Sequence, residues 1–554
     1  MKQDTLANLC LTSSEKYKDR LALAMLSGGE ICRQVTYAQL GKRAQKAGAA
    51  LRQLGVETGG RVLLLAENSP EWVISYFGIA LAGAVSVPLL TGFSPEQIQN
   101  IASHSGISAV CLSRAMAGKF DKSEIFDNDE ALSFSEIPFI YIDSMTETEN
   151  AAMEITVCVK GQEQRLQIPS DVNLPLGAKN NDLATIIYTS GTQGNSKGVM
   201  LSNKNLLSSV HSSLYFQKVL PSDRLLSVLP LAHSYECSIG LIVPVMCGAS
   251  ITYIDKPPSP SVLLPALKLL RPTMMITVPL LIEKIYNNAI APKLRSSKLY
   301  KMPLIRSLAV WFAGRKLYSA LGGKIRFFGI GGAPLSKEVE DFLSRAKFPY
   351  SIGYGLTEAA PLVSGNPPLR HGIIRGTKAP SGVSIRIVKC KEIAEPGVGE
   401  IQVKGPNVMM GYYNDAEKTA EVITSDGWLR TGDLGRLDKK GRLHIRGRLK
   451  ALILSASGEN IYPEEIEGLL GTSALIEDAL VYSGEKGELV ALVRLSEAAR
   501  AVTGAVEHIL EDLRNWTNRK LAVFSKLSRI EIKHEPFEKT PTMKIKRYLY
   551  KTNG

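Results

Sequence analysis

The sequence has little that would let it act as a cross-linked or metal-built scaffold. Its seven cysteines (Cys10, Cys32, Cys111, Cys158, Cys237, Cys247 and Cys390) are odd in number, widely scattered and show no CxxC or Cys/His spacing. That excludes a disulfide framework and a zinc-ribbon class and points to a reducing, cytoplasmic compartment. The N-terminal stretch MKQDTLANLCLTSSEKYKDR has no basic region followed by an apolar core, so no secretory signal is expected. Internal repeats and low-complexity tracts are absent. Only two uncharged runs, WVISYFGIALAGAVSVPLL (72–90) and CSIGLIVPVMCGASITYI (237–254), approach the length of a membrane span, and each is broken by glycine and proline. We read each as a buried helix that stops at glycine and continues as a buried strand. Acidic residues are the minority, 53 against 66 basic ones, for a formal net charge of +13. The excess favours anionic partners such as nucleotides, coenzymes or phospholipid surfaces.

The length, 554 residues, exceeds what one hydrophobic core usually supports, so two or more domains are expected. Leu40, Ala44, Ala47, Leu51 and Leu54 mark one helical face, followed by the strand-like RVLLLA (61–66), a helix over roughly 70–82 and the strand AVSVPL (84–89). Helix and buried strand in alternation predict an α/β fold of largely parallel sheets with flanking helices. Residues 113–181 are more polar and read as a surface excursion before the sheet resumes at LATIIYTS (183–190). Residues 399–447 change to short β-like pieces between turns, a β-rich subdomain. Beyond them a helix at 463–470, strands near 477–482 and 488–495 and a helix near 504–519 predict a small α+β unit. The boundary is set at 448–450, giving a large domain 1–448 and a small one 449–554.

Chemistry first shows in YTSGTQGNSKGV (188–199), a polar loop between apolar stretches. It is not a Walker A sequence, because Lys197 is followed by glycine where that motif needs Ser or Thr. Its parts still suit a polyphosphate. Gly191 and Gly194 let backbone N–H groups close on phosphate oxygens, the hydroxyls of Thr189, Ser190 and Thr192 donate, and Lys197 supplies charge.

Downstream, in order, stand GIGGAPLS (329–336), SIGYGLTEAAP (351–361), GWLRTGDLGRLDKKGRLHIRGRLK (427–450), GENIYPEEIE (458–467) and TPTMKIKR (540–547). With the loop at 188–199 this series, which spans essentially the whole chain, resembles the motifs of the adenylate-forming superfamily of acyl-CoA synthetases, peptide-synthetase adenylation domains and luciferases. The resemblance implies that Gly332, Ala333, Pro334, Tyr354 and Gly355 flank adenine and that Thr357 and Glu358 stand beside the phosphates. A carboxylate beside anionic ATP requires a cation between them, so Glu358 is the expected Mg²⁺ ligand. Asp433 in TGDLG is expected to accept from both ribose hydroxyls, with Arg448 adding charge nearby. Lys544 is similar to the family's C-terminal lysine, a mobile cation delivered to the α-phosphate and carboxylate. The family's small domain rotates between two poses, and Lys450 occupies the swivel position, where many members carry aspartate. Gly458 is then expected along the tunnel for the thiol substrate. The chain departs from the family pattern at Gln193, Ser196 and Met543.

LPLAHSYE (229–236) and TVPLLIEKIY (277–286) resemble the long-chain fatty acyl-CoA synthetases, most nearly the bacterial ones. His233, Tyr235 and Gly353 are the expected walls of the acyl pocket. An amino-acid enzyme needs a carboxylate for the substrate ammonium, and Glu236 is the one residue near His233 that could supply it. The activity expected is ATP-dependent conversion of a fatty acid to acyl-adenylate and pyrophosphate, then of acyl-adenylate and CoA to acyl-CoA and AMP. Transfer to acyl carrier protein is the chemical rival, and a non-catalytic nucleotide-binding, membrane-docking protein the rival of another class. Residues 284–337 hold eleven Lys/Arg and no Asp or Glu, interleaved with Leu304, Ile305, Leu308, Trp311, Phe312, Leu317 and Tyr318. This is either a basic helix packed on the domain or a peripheral contact with the anionic inner face of a membrane. Nucleic acid is not among the expected partners.

Overall fold

The computed structural model describes residues 4–120, 134, 136–148, 150–189, 196–297, 300, 302, 306–368, 375–391, 393, 395–454, 459–473, 475–484, 487–500, 506–541 and 544–550. Ser190, Gly191, Thr192, Gly194 and Gly458 of the expected site lie outside the described residues, as do Lys298, Lys301, Leu304 and Ile305 of the basic stretch.

Helix starts are written in the sequence. Thr36 and Gln39 form a reciprocal capping box for Tyr37–Gln53, Ser69 caps Pro70–Leu81, and Ser202 pairs with Asn205 ahead of Asn203–Phe216. Each cap satisfies backbone N–H groups that a helix end leaves bare. Tyr37–Gln53 and Pro70–Leu81 then cross at small residues. A Cβ on Gly78 would stand 2.8 Å from that of Ala47, and one on Gly48 would stand 2.7 Å from the Gly78 carbonyl. The backbones meet closely because neither glycine carries a side chain.

Two large sheets hold most of the chain. In one, the order is Leu362–Gly365, Tyr350–Gly355, Phe327–Ile330, Met274–Thr277, Arg224–Leu226, Ser250–Ile254, Leu21–Ser27 and Glu30–Thr36, parallel except at its two ends. In the other, Leu183–Thr189, Val85–Pro88, Arg61–Leu65, Ile107–Leu112 and Phe139–Tyr141 run parallel. Lys197–Ser202 and Gly411–Tyr412 continue that sheet antiparallel on one side. On the other side lie Met153–Val159 and Gln162–Ile168, an antiparallel pair, so the segment read as a polar excursion in fact extends the sheet. Its outer strand is exposed at each of residues 162–165 and carries Glu163 and Arg165 there, charges that protect a sheet edge.

Both apolar runs are helix, glycine and strand. Residues 70–81 and 85–88 make up the first, and the second passes from a helix ending at Cys247 through left-handed Gly248 into Ser250–Ile254. No described helix is long and apolar enough to cross a membrane. A four-stranded antiparallel sheet, Ser384–Val388, Gly399–Lys404, Leu429–Leu437 and Leu443–Arg448, follows. Pro463–Leu470, the mixed sheet of Ile476–Ser483, Leu489–Leu495 and Arg529–Ile532, and Val506–Asn518 come last and enclose a hydrophobic cluster of their own around Ile466, Val481, Val493 and Leu513. A smaller cluster of Ile393, Val398, Leu434 and Tyr462, with Leu449 and Leu452 against it, joins this part to the four-stranded sheet.

Filling the glycine crossing should be costly. Gly78→Val is expected to destabilise the chain by about 3 kcal/mol through overpacking, read as a lowered urea midpoint. An unchanged midpoint would mean that the two helices have room to separate.

Candidate active site

A cleft of about 3180 Å³ opens between the large sheets, the four-stranded sheet and the C-terminal part. That is several times the roughly 300–1,000 Å³ of a single small-ligand pocket, so more than one substrate group fits. The ends of parallel strands feed it. Thr189 closes Leu183–Thr189, Gly331 to Pro334 follow Phe327–Ile330, and Gly353 to Gly355 close Tyr350–Gly355. Gly332 has φ +83°, a left-handed conformation that favours glycine, and it turns an exposed backbone into the cleft.

The charged groups are set by long-range hydrogen bonds. Tyr354 Oη, buried, donates to Asp433 Oδ2 at 2.7 Å, and burial together with that carboxylate holds the phenol well above its ordinary pKa. Asp433 is paired across the sheet with Arg448, whose Nε stands 3.5 Å from Oδ1. Glu358 Oε1 accepts from Tyr412 Oη at 3.0 Å, while Lys197 Nζ lies 4.9 Å from the centre of the Tyr412 ring. Asn407 Nδ2 donates to the carbonyls of Ala359 and Leu362 at 3.2 and 2.9 Å, and the Met409 N–H donates to the Glu358 carbonyl at 2.9 Å, so the turn bearing Glu358 is tied to the loop before Tyr412. Thr357 Oγ1 and Ser234 Oγ are 3.2 Å apart.

Among the described residues no donor reaches Glu358 Oε2, and no group of three or more His, Cys, Asp or Glu is arranged to hold an ion. One carboxylate oxygen facing a cleft suits Mg²⁺, which keeps several waters and takes most of its remaining ligands from substrate phosphates.

Lys544 reaches the same cleft from the C-terminal part. Its turn is closed by the Thr540 N–H on the Lys544 carbonyl at 2.8 Å, and Pro541 packs against Gly92. Water still reaches the residue through the wide cleft. Crowding by protein and then the charge of Arg448 nevertheless lower its pKa, against the opposing pull of Asp433, Glu464 and Glu358. Lys450 lies exposed in the single turn Leu449–Ala451 at the cleft's edge. The described members of the expected site, Thr189, Lys197, His233, Tyr235, Gly332, Ala333, Pro334, Gly353, Tyr354, Gly355, Thr357, Glu358, Asp433, Arg448, Lys450 and Lys544, all line this one cleft.

Tyr412, Ser234 and Asn407 were not singled out by the sequence. Tyr412 sits in a plain GYY with no charge to mark it, and only folding brings it to Glu358, 54 positions away. Glu236 does not face the cleft. It is fully buried beneath the His233 turn, which removes it as a partner for a substrate ammonium.

His233 Nδ1 accepts from the Tyr235 N–H at 3.2 Å. Burial, helped by the charge of Lys544, lowers its pKa to about 4, so the ring is neutral at physiological pH. Because the folded value lies below the unfolded one near 6.5, the stabilising contribution is complete above that value and is lost as pH falls toward 4. The amount is about 3 kcal/mol. His233→Gln, which cannot take the proton, is expected to gain stability relative to wild type by about that amount between about pH 7 and about pH 4 in denaturant titrations. A difference independent of pH would contradict a ring held neutral by the fold.

Comparison with known proteins follows the same lines. Residues 11–413 match the AMP-binding enzyme family. The chain is similar to the peroxisomal long chain acyl-CoA synthetase 7 of Arabidopsis thaliana, with 31% identity over 498 residues covering 83% of this chain and 68% of that one. It is 30% identical to long-chain-fatty-acid–CoA ligase 5 of Rattus norvegicus over 572 residues, 93% of this chain and 82% of the other. Among solved structures, O-succinylbenzoate coenzyme A synthetase of Bacillus subtilis in complex with ATP and magnesium ion shares the fold with a TM-score of 0.74 over 98% of each chain at 23% identity. With a match over most of its length and its motifs gathered in one cleft, the chain belongs to the AMP-binding enzyme family.

Proposed function

We propose that the protein is an acid–thiol ligase acting on long-chain fatty acids. A carboxylate oxygen of the acid attacks the α-phosphorus of ATP and pyrophosphate leaves. The thiol sulfur of CoA then attacks the acyl carbon, the bond to AMP breaks, and the thiol proton is lost to solvent. The observation that carries this reading is the convergence of Lys544 with Lys197, Glu358 and Asp433 in one cleft, a charge arrangement suited to a polyphosphate and a carboxylate together. Similarity to long-chain enzymes at 30–31% identity supports the acid class.

In this reading Asp433, oriented by Tyr354, accepts from the ribose hydroxyls. The backbone of Gly332 to Pro334, with Tyr354 and Gly355, encloses adenine. Lys197 and the hydroxyls of the 188–199 loop receive the β- and γ-phosphates. Glu358 would hold Mg²⁺, which supplies charge neutralisation on the phosphates. His233, Tyr235 and Gly353 border the acyl group, with the neutral imidazole adding no charge beside the alkyl chain. Lys544 neutralises charge between carboxylate and α-phosphate during adenylation. The C-terminal part, from residue 449, swings about Lys450 so that the thiol can enter along Gly458. Carrier-protein phosphopantetheine is the alternative acceptor, since it ends in the same thiol.

Acid-dependent ATP–pyrophosphate exchange should appear with long-chain fatty acids and be weak with acetate or aryl acids. Lys544→Ala should lose exchange by about two orders of magnitude or more yet still pass supplied acyl-adenylate to CoA. An exchange profile favouring short or aryl acids would sink the substrate assignment, and equal loss of both half-reactions would sink the role of Lys544. Parallel assays with CoA and holo-carrier protein decide the acceptor.

A peripheral contact with anionic lipid is the second part of the reading. The helix Arg306–Ala320 packs inward through Ala309, Val310 and Leu317 and turns Leu308, Trp311 and Phe312 outward. Leu317 therefore belongs to the packed face, not to the exposed apolar set expected from its spacing. Leu264 and Leu269 of Pro260–Leu270 are also exposed. Each basic residue near an anionic surface contributes about 1 kcal/mol. Replacing Arg306, Arg315 and Lys316 with glutamine should therefore weaken salt-sensitive co-sedimentation with phosphatidylglycerol vesicles while leaving ATP affinity unchanged. Unaltered vesicle binding, or none by wild type at low salt, would return this helix to a purely packed role.

A further inference from the structure

Glu236 is a completely buried carboxyl that the cleft does not use. Its Oε1 is 2.5 Å from Ser227 Oγ, and its carboxyl lies over Gly240, where a Cβ would come within 2.6 Å. Its Oε2 has no hydrogen-bond partner among the described residues. The hydroxyl of Tyr253, on Ser250–Ile254, is also buried and unpartnered, and it feels the Glu236 carboxyl electrostatically. Two orphaned polar atoms in one buried neighbourhood are the usual setting of an internal water, which typically makes about three hydrogen bonds to groups left over by the chain.

The same carboxyl closes a loop. Ser227 begins the segment 227–236, and Glu236 opens the helix that follows it. Asn68 pins the middle of that loop, donating from Nδ2 to the Leu229 carbonyl at 2.6 Å and accepting the Leu231 N–H at 2.8 Å. At the far end the Cys237 N–H donates to the His233 carbonyl at 2.9 Å. Between these ties stand His233, which lines the cleft, and Ser234, which meets Thr357.

We propose that Glu236 is a positioning residue: its carboxylic acid, bound to Ser227 through one oxygen and through the other to an internal water shared with Tyr253, fixes the turn that sets His233 and Ser234 in the cleft. The groups around it are Tyr235 and Cys237 on its own segment, Ser227 at the end of Arg224–Leu226 and Tyr253 on the next strand, with Tyr76 of Pro70–Leu81 against Cys237. All are neutral at pH 7, and no basic group is among those acting on it. Burial accordingly pushes its pKa up to about 8, opposed only by Ser227. Since the folded value lies above the unfolded one, its contribution is complete below about pH 4.5 and is lost as pH rises to about 8.

The inference rests on the ligase reading for its kinetic test and is independent of it for its stability test. Glu236→Gln, neutral and nearly isosteric, is expected to keep acid-dependent exchange within about threefold of wild type. Its melting temperature relative to wild type should rise steadily from about pH 5 to about pH 8 and then level off. Glu236→Met, of similar volume but without polar atoms, should reduce kcat/KM for the acid by about tenfold or more through a displaced His233 turn, with KM for ATP unchanged. Ser227→Ala should show the same split to a smaller degree, and it decides the matter if Glu236→Met does not fold. The proposal is overturned if Gln loses as much exchange as Met, if the Gln–wild-type melting difference is flat with pH, or if the folded Met variant (failing that, Ser227→Ala) has wild-type kinetics. Absence of exchange in wild type would instead defeat the ligase reading and leave the melting test standing.

Discussion

Parallel strands deliver their carboxyl ends to one side of a sheet, and the contents of the cleft follow from that constraint. Leu183–Thr189, Phe327–Ile330 and Tyr350–Gly355 all stop there. Phe327–Ile330 hands over to Gly331 and Gly332, and Tyr350–Gly355 ends on Gly353 and Gly355, so these strand ends present little side chain to the cleft. The two sheets that hold these strands are tied by interstrand hydrogen bonds, so the strand ends are fixed points.

What the floor lacks in charge is brought in from elsewhere and then held. Asp433 comes from the four-stranded sheet and is oriented by Tyr354. Glu358 is gripped by Tyr412 from the edge strand Gly411–Tyr412, which pairs with Lys197–Ser202. Lys544 arrives on a turn of the C-terminal part that rests on Gly92. Phenolic hydroxyls do most of the holding. They orient a carboxylate through one hydrogen bond without adding a cation against it, so the second oxygen of Glu358 keeps its charge for a cation, while Asp433 shares its own with Arg448.

Much of this was legible in sequence because it is local. Caps at Thr36, Ser69 and Ser202 announce helices, and glycine within an apolar run announces the turn from helix to strand. The motif series located the cleft because its glycines and charged residues lie in short contiguous blocks. The strand Met153–Val159 was hidden because its alternation is embedded in polar sequence, and Gln162–Ile168 because it is polar and exposed over most of its length and has no alternation to show. The orientation of Glu236 could not be read either. Residues 236–242 form wide helical turns, with the Val243 N–H bonded to the Ser238 carbonyl five positions back, so the 3.6-residue period that assigns faces does not apply there. Tyr412 and Glu358 meet only through folding, and no spacing rule announces such a pair.

The C-terminal part has a hydrophobic cluster of its own and meets the rest of the chain at a small cluster around Tyr462, at the Arg446–Glu465 pair and where Pro541 lies against Gly92. Any molecule that touches both sides of this junction adds to these contacts as a thermodynamic cross-link. A nucleotide held by Asp433 on one side and by Lys544 on the other would be such a link. Under the proposed roles that link would persist in the acyl-adenylate, which keeps both ribose and α-phosphate, so the joint would loosen only as far as loss of pyrophosphate weakens the grip of Lys544.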